Sequence, residues 1–161
     1  MLKKMGQRLK NERGLTLIEL LAVVVILGII AAIAIPSIGG LIDNSRKDAH
    51  IANAKQMISS AKIAVSSNED LRPAKDASVV MSLGDLETKG YLDKLKDPDG
   101  GTESDDGYLR GSTGDTDGSY VTITNEGDGK FAYTVTLKGS KRTISESSVN
   151  ELDRDSVQDN S

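Results

Sequence analysis

From Leu20 to Ile42 the chain runs for 23 residues without a charge. A helix rising 1.5 Å per residue crosses the hydrocarbon core of a bilayer in about 20 such residues. Residues 15–42 hold 21 apolar residues of 28, whereas residues 43–161 hold 35 of 119, about 29%, which is low for a globular domain. This is the pattern of an apolar anchor followed by a small, weakly cored head, and it argues against a uniform cytosolic enzyme. Pro36, Gly39 and Gly40 interrupt the end of the run, so the best-formed apolar helix is Leu20 to Ile35. Starting at Leu15 gives a full span, but one that includes Glu19.

Charge divides the chain in the same way. Residues 1–14 carry Lys3, Lys4, Arg8, Lys10 and Arg13 against Glu12, while the whole chain has a formal net charge of −4. Lys/Arg flanks stay cytoplasmic, so the expected topology is a single pass with the N-terminus in the cytoplasm and the acidic head outside. An acidic surface repels phosphate, so direct nucleic-acid binding is not expected. The absence of cysteine excludes a disulfide framework and a thiolate zinc site. With one histidine, His50, histidine-based catalysis has little to work with. No phosphate-cradling glycine loop follows a strand and no nucleophile–base pair is suggested, so the chain does not read as an enzyme and no cofactor is expected.

A basic start and an apolar core also describe a secretory signal, and Ala32-Ile33-Ala34 is a tolerable small-x-small cleavage triplet. Glu19 distinguishes the two readings. A carboxylate inside an inserted helix is costly, and an intramembrane acid is a functional candidate by default. Gly14-Leu15-Thr16-Leu17-Ile18-Glu19, after a short basic leader and before a long apolar run, resembles the processing site of type IV prepilins and pseudopilins. The resemblance implies a cut between Gly14 and Leu15 by a membrane peptidase, N-methylation of Leu15, and removal of the leader 1–14. It assigns Glu19 and Thr16 to assembly, with the Glu19 carboxylate pairing with the amine of a neighbouring subunit. It also implies a homopolymeric filament, minor pilins, a prepilin peptidase/methylase, an inner-membrane platform protein and an assembly ATPase as partners. Membrane lipid surrounds the stem before assembly, and the filament then stands at the cell surface. Gly28 and Pro36, which weaken a helix, bracket a segment that can unwind on assembly or are simply tolerated in a membrane helix.

Beyond the anchor, residues 43–67 read as an amphipathic continuation of the stem, with Ile51, Ala54, Ile58, Ala61 and Val65 at helical spacing. Residues 15–67 would make a helix about 80 Å long. Lys47, Lys55 and Lys62 form a separate stripe, read as a solvated face. His50 stands beside the seam with no ligand partner in sequence, and is expected to be structural or exposed. Residues 68–118 form a connection with a short helix at 82–90, N-capped by Ser82 with Asp85 and stopped by Gly90. Strands are expected at 120–124, 130–138 and 142–145, within a sheet spanning 119–145, and a loose polar tail at 146–161. The fold class is α+β: a long N-terminal helix on a small antiparallel sheet, the pilin architecture. The stretch 86–98 is similar to the loop helix of Gram-positive pilins and major pseudopilins.

The acid-rich stretch from Asp97 to Gly118 offers Asp97, Asp99, Asp105, Asp106, Asp115 and Asp117 as calcium candidates, since calcium takes carboxylate and carbonyl oxygens. Asp-Gly pairs are equally ordinary turn chemistry. An EF-hand starting at Asp115 fails, because its sixth position is Tyr120 rather than glycine. Three filament roles stay open: adhesion or motility, DNA uptake in competence, and a type II-like secretion pseudopilus. A secreted or anchored binding protein with no filament role is the alternative from another class.

Overall fold

The computed structural model describes residues 16–101 and 107–160. Its first element, helix α1, spans Leu17–Ser67 and passes through Gly28 and Pro36 without a break. The chain divides into two units, one ending at Ile42 and one beginning at Asp43.

Within the first unit the described residues are the apolar part of α1. None of them is buried, and the large side chains from Leu17 to Ile42 are 48–87% exposed. An apolar helix with every side bare needs lipid or other protein around it.

The second unit is an α+β head, formed by the C-terminal part of α1 and a five-stranded antiparallel sheet. The strands are β1 (Ser78–Ser82), β2 (Tyr120–Gly127), β3 (Lys130–Lys138), β4 (Arg142–Ser148) and β5 (Val157–Asp159), in spatial order β1-β2-β3-β4-β5. Every neighbouring pair is antiparallel. Ile51, Ala54, Met57, Ile58, Ala61, Ala64 and Val65 of α1 are buried in one cluster with Val121, Ile123, Val135, Leu137 and Ile144 of the sheet. In β2 the buried Val121 and Ile123 alternate with half-buried residues, as a half-buried strand requires, whereas Val135, Thr136 and Leu137 of β3 are buried in succession; Val121↔Val135 and Ile123↔Tyr133 set the register. The β2–β3 turn places Asp128 and Gly129 both at positive φ, 52° and 76°, the conformation of a tight hairpin whose twist matches its strands.

Helix α2 (Leu83–Thr88) follows β1 directly. Ser82 closes a capping box with Asp85, its hydroxyl accepting from the Asp85 N–H at 3.0 Å. Gly90, at φ 76°, takes the left-handed turn that ends the helix.

Two expectations need correction. The stretch before Ser82 is not only a connection: Ser78–Ser82 forms edge strand β1, paired from Ser78↔Thr124 to Ser82↔Tyr120. Its Val-Val-Met run has no alternation, and no turn separates it from α2. The C-terminal residues are not a loose tail. Leu152 and Val157 are 6% and 4% exposed, and β5 adds to β4 through Ile144↔Val157 and Arg142↔Asp159. Three residues are too few to show a period. The lysine stripe lies at the surface, with Lys55 and Lys62 exposed and Lys47 half-buried. Lys62 lies 5.4 Å from the centre of the Tyr133 ring, and Lys47 is 3.9 Å from Asp43.

Candidate functional site

The first turn of α1 gathers two polar residues. The Glu19 carboxylate accepts from the Thr16 N–H at 2.8 Å and the Thr16 hydroxyl at 2.7 Å. The Thr16 hydroxyl in turn accepts from the Glu19 N–H at 3.3 Å. This is a reciprocal capping box at the start of the helix, and it gives the carboxylate local donors that a bare intramembrane acid would lack. Gly14 and Leu15 lie outside the described residues. Gly28 and Pro36 sit inside α1, and a Cβ added at Gly28 would meet nothing within 4 Å.

The head contains a second polar cluster, built around His50. Of the two expectations for His50, structural or exposed, the structure has the first: it is 1% exposed and has partners at both ring nitrogens. Nδ1 is 2.8 Å from the Tyr108 hydroxyl, and Nε2 is 3.0 Å from Asp99 Oδ2 and 3.5 Å from Asp97 Oδ1. Asn53 Nδ2 donates to the Tyr108 hydroxyl at 3.0 Å. One proton arrangement satisfies every group: Asn53 donates to Tyr108, Tyr108 to His50 Nδ1, and His50 Nε2–H to Asp99. Burial and the nearby charges of Asp97 and Asp99 raise the Tyr108 pKa, outweighing the Asn53 hydrogen bond, so Tyr108 keeps the proton this relay needs.

Asp99 is the hub. Its enclosed carboxylate also accepts from Arg142 Nη1 at 3.0 Å and from Arg46 Nη1 at 3.4 Å. Burial pushes its pKa up, but the His50 hydrogen bond and the charges of Arg142 and Arg46 outweigh burial and hold it below the ordinary aspartate value. Arg142 reaches onward to Asp159 at 2.9 Å and to Asp43 on α1. The turn Asp97-Pro98-Asp99-Gly100 is fixed by Asp97, which accepts from the Asp99 N–H at 2.8 Å and from the N–H and hydroxyl of Ser140 at 2.6 and 2.8 Å. Gly139 permits this approach, since a Cβ there would stand 2.8 Å from Asp97 Oδ2 and 2.9 Å from the Arg142 carbonyl.

His50, Asp97 and Asp99 present ligand-type atoms within 4.8 Å of one another, the one such group among the described residues. A metal does not fit this chemistry. Each carboxylate oxygen already accepts from His50, Arg142, Arg46, Ser140 or the Asp99 N–H, Nε2 carries the proton it gives to Asp99, and a guanidinium stands against Asp99. Of the six calcium candidates, Asp97 and Asp99 meet here. Asp115 and Asp117 lie on a separate loop and accept from the Thr116 and Ser112 N–H groups, and Asp105 and Asp106 lie outside the described residues. The relay ties α1, the 97–100 turn, Tyr108 and β4 together. Tyr108 and Arg142 were not singled out from sequence. The available signal was His50 itself, four residues before Ala54 on the buried seam of α1.

A bare apolar N-terminal helix and a helix-on-sheet head are the parts of a pilin-like α+β fold. The family model described as the prokaryotic N-terminal methylation motif matches residues 9–35, which supports a type IV pilin-like or pseudopilin precursor. No curated protein and no solved structure matches it.

Proposed function

We propose that the chain is the structural subunit of a type IV pilus-like extracellular filament, serving adhesion, motility or DNA uptake. The peptidase cuts between Gly14 and Leu15, Leu15 is N-methylated, and the subunit waits in the cytoplasmic membrane with its head outside. Assembly transfers the stem from lipid into a bundle of other stems, where Glu19 pairs with a neighbour's new amine. The observation that carries this reading is the methylation motif at residues 9–35 running into a helix with no buried residue as far as Ile42. Such a surface is satisfied equally by lipid and by copies of itself.

Mass spectrometry of the protein from its own cells tests the first step. A methylated Leu15 at the mature N-terminus is expected, and an intact N-terminus or one near Ser37 would overturn the reading. Glu19→Ala tests the second: processed protein should accumulate in the membrane while surface filament is lost. Deletion followed by assays of transformation, surface motility and secretion separates a pilus from a secretion pseudopilus.

A further inference from the structure

We propose that the Lys138 ammonium is a built-in cation that fixes the 110–119 loop of the head, which carries Asp115 and Asp117, so that this loop needs no divalent ion. The loop leaves and returns at one point. Ser119 N–H donates to the Leu109 carbonyl at 2.7 Å, and Leu109 N–H donates to the Lys138 carbonyl at 3.0 Å. The two ends run so close at Gly111 and Gly118 that a Cβ on Gly118 would overlap the Gly111 backbone. Within this closed loop the carbonyl oxygens of Thr116 and Asp117 turn toward Lys138 Nζ, at 2.9 and 3.4 Å. Adjacent carbonyl oxygens in a loop that also carries Asp115 and Asp117 are the hard-oxygen donors that calcium recruits. Here an ammonium, with three protons to give, already occupies their focus.

Lys138 suits the role because it ends β3, a nine-residue strand, and is held at its backbone as well, where its N–H donates to the Ser119 hydroxyl at 2.9 Å. The far side of the loop is tied separately, by the Thr113 hydroxyl donating to Asp85 at 2.7 Å. A divalent ion at the same carbonyls would stand against the ammonium and have to expel it.

The test is hydrogen exchange, read by mass spectrometry on the peptide covering residues 110–119 of the full-length protein in detergent micelles. It compares wild type, K138M and K138R, each in calcium and in chelator. Wild-type exchange should agree within about twofold between calcium and chelator, because the ammonium already does the work. K138M, which keeps the aliphatic stem, should exchange about tenfold faster or more across the loop, and K138R should stay near wild type. Wild-type protection that rises severalfold with calcium would overturn the proposal, as would K138M exchange at the wild-type rate. The wild-type comparison stands even if K138M misfolds, and neither readout depends on filament formation.

Discussion

Asp99→Asn keeps the shape of the hub and removes its charge. The carboxylate is fully enclosed and accepts from His50 at 3.0 Å, Arg142 at 3.0 Å and Arg46 at 3.4 Å. An amide has one oxygen and one NH2. With its oxygen toward the arginines, its NH2 meets His50 Nε2–H; reversed, the NH2 faces two guanidinium groups. Either way two donors stand face to face where water cannot reach. Removing one partner of a buried ion pair costs about 3–5 kcal/mol. The Arg46 contact adds little, because that side chain is 44% exposed, and Arg142 keeps Asp43 and Asp159. The expected loss is therefore at the lower end, about 3 kcal/mol, or a fall of roughly 10 °C in the melting point of a unit this size. Near-UV circular dichroism reads it cleanly, since the chain has no tryptophan and Tyr108 is 1% exposed.

Acid gives the same experiment a second axis. The Asp99 pKa is lower in the folded head than in the unfolded chain, so its stabilisation is complete above the ordinary aspartate value of about 3.9 and is lost as pH falls through the folded value. The gap between wild type and Asp99→Asn should accordingly be constant near neutrality and close on acidification. A variant melting within about 3 °C of wild type at neutral pH, or a gap that widens in acid, would refute the account of Asp99 as hub.

Gly139→Ala should lower the melting point by several degrees, because its Cβ would press on Asp97, the Arg142 carbonyl and His50, and overpacking costs about 1–3 kcal/mol; the same thermal scan measures it. Leu152→Ala should cost about 2–4 kcal/mol in denaturant unfolding, the price of a core cavity, and a near-neutral result would show that the C-terminal segment packs idly. Thr16→Ala removes the hydroxyl that caps α1, and amides of the first turn should exchange about fivefold faster, with residues 43–67 unchanged.

What was legible in the sequence is what depends on neighbours in the chain. The apolar run, the Glu19 motif, the α2 capping box and the β2–β3 hairpin each lie within a few tens of residues, and their residue types state the local geometry. The polar hub was opaque because its members come from far apart: His50 and Asp99 are 49 positions apart, and Arg142 and Asp43 are 99 apart. Nothing in the period of α1 says which residue will meet its one histidine. Strands β1 and β5 were missed for a different reason. β1 runs into α2 without a turn, and β5 exists because β4 offers it an edge and Leu152 and Val157 a place in the core.

The capping box also changes the physical argument for Glu19. Read from sequence alone, an unpaired acid makes the single subunit uncomfortable in lipid, and assembly relieves it. In the structure that acid already has two donors from Thr16. Under the proposed function, a neighbour's ammonium must therefore compete with a local cap, so only the difference between the two drives assembly. A charged partner in a low-dielectric bundle is much stronger than neutral donors at a helix end, so the balance still favours the filament. Thr16→Ala then separates the two accounts. If the bare acid supplies the drive, removing one of its two local donors, the Thr16 hydroxyl, should speed filament growth. If Thr16 instead holds the carboxylate ready for its partner, growth should slow while cleavage at Gly14 continues, and the yield of sheared filament relative to processed subunit decides between them.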